Sequence, residues 1–143
     1  MQAACGLAQM GRLTEFIQKR KDNFSFLRKR MESCSEYLEL PEPTPESDPS
    51  WFGFPLSLKS NANLKRLDLL TFLDKNQVGT RLLFSGNLLR QPYMQNRSVR
   101  ISGNLSNTDR TMNDTFWIGV YPGLTNEMLE YTVGQIEKFF GIF

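Results

Sequence analysis

Four prolines stand within nine positions, at 41, 43, 45 and 49, and no other local feature constrains the fold of this 143-residue chain as strongly. Proline lacks the amide hydrogen that helices and interior strands require, and it disfavours the helical conformation in the residue before it. The stretch 41–50 is therefore predicted to be an extended connector. It separates a first segment, 1–40, from a second, 51–143, and the total length is typical of a single domain.

The first segment shows the periodicity of one long helix over about residues 3–35. Its apolar residues recur mostly at steps of three, four or seven, which predicts a single stripe. They are Leu7, Met10, Leu13, Ile17, Phe24, Leu27 and Met31. The pattern begins at Met1 without a clear capping residue, which suggests that the helix is part of a larger fold.

Charge is distributed in two opposite blocks, although the net charge of the chain is only +2. Residues 11–30 hold seven lysines and arginines against two carboxylates, whereas residues 31–50 hold six carboxylates and no cation. A basic helix is compatible with nucleic-acid binding or with an autonomous interaction module for acidic partners. Because no aromatic ladder or zinc motif accompanies the cations, we favour a solvent-exposed helix face and expect no nucleic-acid partner.

The second segment predicts an α+β fold. Alternation from Phe52 to Leu58 indicates a half-buried strand, with Pro55 at an edge or a bulge. Two more strands are predicted at Thr80–Phe84 and at 116–120, and residues 85–113 have the polar composition of a long loop. Three short strands between longer helices predict a small, mostly antiparallel sheet that helices cover on one side.

Two helices are predicted in this segment. One spans about 63–75 and has Asn61 or Asn63 as its cap. The other follows the cap residue Thr125. The buried stripe of that last helix is predicted to contain Leu129, Val133, Ile136 and Phe140.

Composition excludes several kinds of site. The chain has no histidine, so it cannot supply a Ser-His-Asp triad or a His-ligated metal by itself. Cys5 and Cys34 form neither a disulfide framework nor a four-ligand metal site, and we expect two reduced thiols. We predict no catalytic, cofactor-binding or metal-binding residue in the chain. Without a signal peptide or an apolar run of about 18 residues, we expect no membrane partner and a cytoplasmic location.

Polar and aromatic side chains concentrate between positions 79 and 93, after the second predicted strand. Arginine suits phosphate or carboxylate oxygens, amides suit sugar hydroxyls or a base edge, and aromatic rings offer stacking faces. The segment could therefore form one wall of a pocket for an anionic ligand. Its candidate residues are Arg81, Phe84, Asn87, Arg90 and Gln91. The spacing leaves an equal alternative open, in which Arg81 and Arg90 pair with local carboxylates.

Several stretches resemble the DegT/StrS-type sugar aminotransferases, which are PLP-dependent enzymes of aminotransferase fold type I. Residues 1–9 resemble their QAA-x-G-x-x-Q stretch. Residues 49–55, 79–92 and 113–125 look closer to one branch, the 4-keto-6-deoxyhexose 3-dehydrases, and especially to the CDP-4-keto-6-deoxy-D-glucose 3-dehydrase. Residues 89–92 read Leu-Arg-Gln-Pro where plain aminotransferases typically have His-Leu-Gln-Pro, which favours the dehydrase branch over an aminotransferase segment.

The resemblance implies that 1–40 is a long interdomain helix with its end, and that the chain is the C-terminal small domain of a larger homodimeric enzyme. The missing large domain would hold PLP or pyridoxamine phosphate and the catalytic histidine. The implied reaction removes the C3 hydroxyl of a nucleotide-linked 4-keto-6-deoxyhexose during dideoxysugar synthesis for lipopolysaccharide O-antigen. The CDP branch would add a [2Fe-2S] cluster and a flavin/iron-sulfur reductase. The five candidate residues would contact substrate, and the chain alone would bind no cofactor and be inactive.

Overall fold

The computed structural model of the chain describes residues 1–142. The helices are α1 (Gln2–Met10), α2 (Leu13–Arg30), α3 (Arg66–Lys75), α4 (Ser106–Asp114) and α5 (Asn126–Phe140). The strands are β1 (Leu38–Glu39), β2 (Gly53–Leu58), β3 (Thr80–Leu82) and β4 (Thr115–Gly119). Short 3-10 turns occupy Met31–Cys34, Ser60–Ala62, Leu88–Arg90 and Pro92–Met94.

The strands form one antiparallel sheet in the order β1-β2-β4-β3, which confirms the predicted α+β class. The sequence predicted three strands and missed β1, because two residues are too short to show alternation. β1 joins the sheet by pairing Leu38 with Leu58 of β2. The strand predicted over Thr80–Phe84 ends at Leu82, because the Phe84 amide donates to the Leu82 carbonyl and turns the chain away.

The hydrophobic core lies between one face of the sheet and helices α2, α3 and α5. Alternate residues of β2 and β4 form the sheet's contribution: Phe54, Leu56, Leu58, Phe116 and Ile118, each at most 3% exposed. The helices contribute Leu27, Leu69, Leu73, Leu129, Val133 and Ile136. Residues from before and after the connector therefore share one core. We call this side of the sheet the core face, and the side that carries Pro55, Arg81 and Trp117 the outer face.

The long first helix is interrupted, contrary to the prediction of one helix over 3–35. It breaks at Gly11 and Arg12, and Arg12 has a φ of −106° and a ψ of 0°. After α2 the last turn tightens into the 3-10 turn Met31–Cys34. Only the second half of the predicted apolar stripe is buried, since α1 has no buried residue. Among residues 1–142, no helix is both long and apolar enough to cross a bilayer.

Ion pairs fasten the proline-rich connector and α5 to the basic face of α2. The pairs are Lys21 with Asp48, Arg28 with Glu42, and Arg30 with Glu130. Exposed pairs of this kind contribute about 0–1 kcal/mol each, so they orient the connector more than they stabilise the fold. The acidic block thus compensates part of the basic helix within the chain itself.

The predicted loop 85–113 contains α4, which packs on the outer face. A small pocket between them is lined by Asn107, Arg110 and Thr111 of α4 and by Ser57 and Thr115 of the sheet. The prediction that helices cover only one side therefore missed α4. Its segment has few apolar residues, so no stripe marked it in the sequence.

Two predictions of helix ends had different outcomes. Thr125 caps α5, because its side-chain oxygen accepts a hydrogen bond from the Met128 amide at 3.3 Å. The predicted caps of α3 are wrong: the helix follows Lys65, whereas Asn61 lies in a 3-10 turn and Asn63 has a φ of +49°. The left-handed backbone at Asn63 lies three residues before the first residue of α3, so Asn63 is not the capping residue.

The positions of Pro55 and Phe140 refine two further expectations. Pro55 pairs with Trp117 of β4, and in residues 1–142 β1 pairs only with the far end of β2. Pro55 thus has a strand neighbour on one side, as at the predicted edge. Phe140, expected in the buried stripe of α5, is half-buried and stacks on Tyr37 with ring centroids 4.6 Å apart.

Candidate functional site

Strand β3 places Arg81 on the outer face of the sheet, beside an aromatic pair. Arg81 lies across from Trp117 in register, and its guanidinium is exposed. The Trp117 indole covers Gly53, where a Cβ would lie 2.6 Å from the ring, and Phe52 meets that ring edge-on at 5.3 Å. The Trp117 Nε1–H donates to the Leu82 carbonyl at 3.2 Å, which fixes the indole against β3. The face therefore combines a cation with fixed π surfaces.

Arg81 has no carboxylate partner within residues 1–142. The only hydrogen bond that its side chain forms there is a long one, 3.3 Å, from Nη1 to the carbonyl of the adjacent Thr80. A guanidinium offers five donors in a planar fork. Most of the donors of Arg81 are thus free for an anion or for hydroxyl groups.

Phe84 is strained and exposed at once. Its φ is +45°, a left-handed conformation that is a genuine outlier for a bulky side chain, and the residue is 78% exposed. Burial of the ring does not compensate this backbone cost in the described structure. Strain of this kind often accompanies ligand contacts, which makes Phe84 a candidate contact residue.

Asn87, Arg90 and Gln91, in contrast, are engaged within the protein. Asn87 is 4% exposed and its Nδ2 donates to Asp109 Oδ1 at 2.7 Å, while its Oδ1 accepts from the Leu89 amide. Arg90 forms a bidentate pair with Asp109, at 3.1 Å from Nε and 2.8 Å from Nη2. Gln91 Nε2 donates to a backbone carbonyl, that of Ser85, at 2.6 Å.

Asp109 was not predicted from the sequence, although two of the five candidates bind it. The Arg90 guanidinium, together with the Asn87 amide, lowers the pKa of Asp109 from 3.8 to about 2. The carboxylate is therefore ionised at neutral pH, as the bidentate pair requires. No local pattern identifies it, because it lies on α4 and at least 19 positions from its partners.

Gly86 brings the same loop into close contact with α4. Its φ is +59°, and a Cβ at this position would lie only 2.3 Å from Cγ of Met112. Glycine is thus required twice, for the backbone conformation and for the close approach. We call residues 85–91 the clamped loop, because Gly86, Asn87 and Arg90 all attach it to α4.

The structure resolves the two alternatives for the arginines differently. Arg90 pairs with a local carboxylate, whereas Arg81 does not in residues 1–142. Arg81 and Phe84 present free side chains. The other three candidates hold the clamped loop, which lies between these two residues and α4. A separate cavity of about 590 Å³ lies between the segment 77–79, the end of β4 and α5, and it is lined by other residues, among them Val78, Tyr121 and Met128.

Comparisons with known proteins give concordant results over nearly the whole chain. The model of the DegT/DnrJ/EryC1/StrS aminotransferase family matches residues 1–137. The lipopolysaccharide biosynthesis protein RfbH of Salmonella typhimurium is 59% identical over 142 residues, which cover 99% of this chain and 32% of that protein. A dTDP-4-dehydro-2,6-dideoxy-D-glucose 3-dehydratase of Saccharopolyspora spinosa is 41% identical, over 97% of this chain and 30% of that protein. The chain spans about a third of the length of these curated relatives.

A solved structure shares the fold. The E. coli GDP-4-keto-6-deoxy-D-mannose 3-dehydratase with bound hydrated PLP matches with a TM-score of 0.82 and 21% identity. The match covers 91% of this chain and 33% of that one. The arrangement described above is thus found as one part of a larger protein.

Proposed function

The chain belongs to the DegT/DnrJ/EryC1/StrS aminotransferase family, and we propose that it is the C-terminal segment of a nucleotide-sugar 3-dehydratase. The proposed enzyme uses pyridoxamine phosphate and removes the C3 hydroxyl of a nucleotide-linked 4-keto-6-deoxyhexose during dideoxysugar synthesis for lipopolysaccharide. The identities of 59% and 41% to a lipopolysaccharide biosynthesis protein and a sugar 3-dehydratase support this proposal. A sugar aminotransferase segment is the second candidate, since the family includes that activity by name.

We propose that residues 1–142 do not by themselves make a site for pyridoxal or pyridoxamine phosphate. Such a site pairs the cofactor's reactive group with a protein base and its ring nitrogen with an acidic or basic partner. The five candidate residues include neither a histidine nor a lysine, and the carboxylate that contacts them, Asp109, is already held by Asn87 and Arg90. We therefore propose that the rest of the enzyme binds the cofactor.

If the rest of the enzyme binds the cofactor, the 143-residue chain is expected to bind none. Adding pyridoxal phosphate or pyridoxamine phosphate is expected to produce no absorbance band beyond those of the protein and the free cofactor. The longer protein that includes the preceding domain is the positive control, and we expect it to bind one equivalent. A stoichiometric new band with the 143-residue chain would contradict the proposed incompleteness.

Within the complete enzyme, we propose that Arg81 and Phe84 contact the nucleotide sugar. Arg81 offers free donors on the outer face, and Phe84 offers an exposed ring two residues beyond the end of β3. Asn87, Arg90 and Gln91 would shape the same wall from behind, by fixing the backbone of the clamped loop. The free guanidinium of Arg81 is the observation that carries this assignment.

Replacing Arg81 with glutamine in the complete enzyme tests the assignment. Losing a charged hydrogen-bonding group at the substrate is expected to raise the Kd for the nucleotide sugar about 10- to 100-fold, measured by titration calorimetry. Arg30→Gln is the matched control, because Arg30 is a surface arginine of α2 that pairs with Glu130 of α5, and both helices lie on the core face rather than on the outer face. An unchanged Kd in a normally folded Arg81→Gln protein would sink the assignment.

The remaining features implied by the family stay predictions. They are the homodimer, the [2Fe-2S] cluster and the flavin/iron-sulfur reductase of the CDP branch. Among residues 1–142, no cluster of three or more cysteine, aspartate or glutamate side chains has a geometry suited to a metal ion.

A further inference from the structure

Both oxygens of Asp109 are used to hold the clamped loop. Oδ1 accepts hydrogen bonds from Asn87 Nδ2 and Arg90 Nε, and Oδ2 accepts from Arg90 Nη2. The carboxylate side chain is 28% exposed, and the Asn87 amide behind it is nearly inaccessible to water. Ionised, partly shielded hydrogen bonds of this kind are the strong ones.

Only a short stretch of chain connects the clamped loop to Phe84. Asn87 lies three residues beyond Phe84, and the Gly86 amide donates to the Leu83 carbonyl at 3.0 Å, which closes a turn around Phe84. Leu83 in turn follows β3 directly, and β3 carries Arg81. The position of Asn87 therefore constrains the strained backbone at Phe84.

Helix α4 is a firm support for Asp109, because it is itself attached to the fold. The Arg66 guanidinium donates to the carbonyls of Met112 and Thr115, at 2.6 Å and 2.8 Å, where α4 passes into β4. Arg110, which is also on α4, pairs with Glu39 of β1. Asp109 thus connects the loop to a helix that two other elements hold in place.

From this geometry we propose that Asp109 is a positioning residue, which holds the clamped loop so that Phe84 and Arg81 form one substrate surface. The inference rests on the proposed function of that surface. Asp109 itself touches no substrate in this scheme. It acts through Asn87 and Arg90, whose own polar groups it occupies.

The test compares Asp109→Asn and Asp109→Glu in the complete enzyme, with Thr108→Ala as the control, at an exposed position of the same helix. The asparagine side chain would turn an amide donor toward Arg90 or Asn87, whereas glutamate keeps the charge on a longer stem. We expect Asp109→Asn to speed hydrogen exchange of the Leu89, Arg90 and Gln91 amides about 10-fold or more. The Kd for the nucleotide sugar should rise about 10-fold, and Asp109→Glu should restore part of both values.

A double-mutant cycle with Arg81→Gln distinguishes positioning from general stabilisation. If Asp109 acts by presenting the surface that contains Arg81, the two substitutions will weaken substrate binding by less than the product of their separate effects. Full multiplicativity, or an unchanged Kd in Asp109→Asn while Arg81→Gln weakens binding, would overturn the inference and leave the proposed function standing. If Arg81→Gln itself has no effect, the proposed substrate surface fails, and the inference fails with it. Should Asp109→Asn not fold, Asp109→Ala, which removes both acceptor oxygens without adding a donor, supplies the same comparisons.

Discussion

Replacement of Phe116 by alanine is expected to lower the free energy of unfolding by about 3–5 kcal/mol, the usual cost of deleting a buried aromatic ring. Phe116 is fully buried and lies in the middle of the core face, where it pairs with Leu56 on one side and Leu82 on the other. A cavity there would affect three strands at once. Urea unfolding followed by circular dichroism measures the change, and the slope of the transition should stay constant.

Phe52→Ala is the matched control for this loss. Phe52 lies just before β2 and is 57% exposed, with an edge-on contact to Trp117. Its removal should cost about 1.5 kcal/mol at most, the upper range for an aromatic pair beyond its burial. Equal losses in the two variants would mean that the core does not lie between this sheet face and the helices.

Replacement of Gly86 by alanine is expected to cost the attached state of the clamped loop about 2–4 kcal/mol, from backbone strain and overlap together. The added Cβ would require a positive φ and would collide with Met112, to which Gly86 is packed. The loop can relieve both costs by detaching from α4. Hydrogen exchange should therefore accelerate at the Arg90 and Gln91 amides, while amides in β4 and α5 keep their protection.

Two further variants separate the contributions at Gly86. Gly103→Ala introduces the same residue at a φ of +76°, but in open space, so it carries the backbone cost alone. Met112→Ala, combined with Gly86→Ala, removes the contacts to Cγ and Sδ but keeps the Cβ at 2.8 Å, so it should recover only part of the loss that is due to overlap. Suppose that the Arg90 and Gln91 amides in Gly86→Ala exchange no faster than the amides next to position 103 in Gly103→Ala. The clamped loop is then not packed on α4 as described.

Local patterns predicted the elements whose signals lie within one segment of the chain. The alternation around Phe54 and Leu56 identified β2, and the stripe from Leu129 to Ile136, with its cap at Thr125, identified α5. The sequence did not predict the break at Gly11 or the two-residue strand β1. An apolar stripe can continue across a short break in a helix, and β1 has too few residues to show a period. Tertiary contacts decide such details.

Side-chain chemistry identified the right segment for the candidate site but not the different states of its residues. Arg81 and Arg90 look equivalent in the sequence, yet only Arg90 meets a carboxylate in residues 1–142. The distinction depends on Asp109, which reaches the loop only because α4 folds back across the outer face. Pairing over such separations has no signature in local composition.

The sheet order has a consequence for how this fold can diversify. Strands β3 and β4 are neighbours, yet the chain between them, residues 83–114, carries Phe84, the clamped loop and α4. The entropy of closing a flexible segment grows only with the logarithm of its length, so insertions in its exposed part, residues 95–104, cost little. Changes in this one connection between β3 and β4 can therefore alter the proposed substrate surface, while the core around Phe116 stays the same.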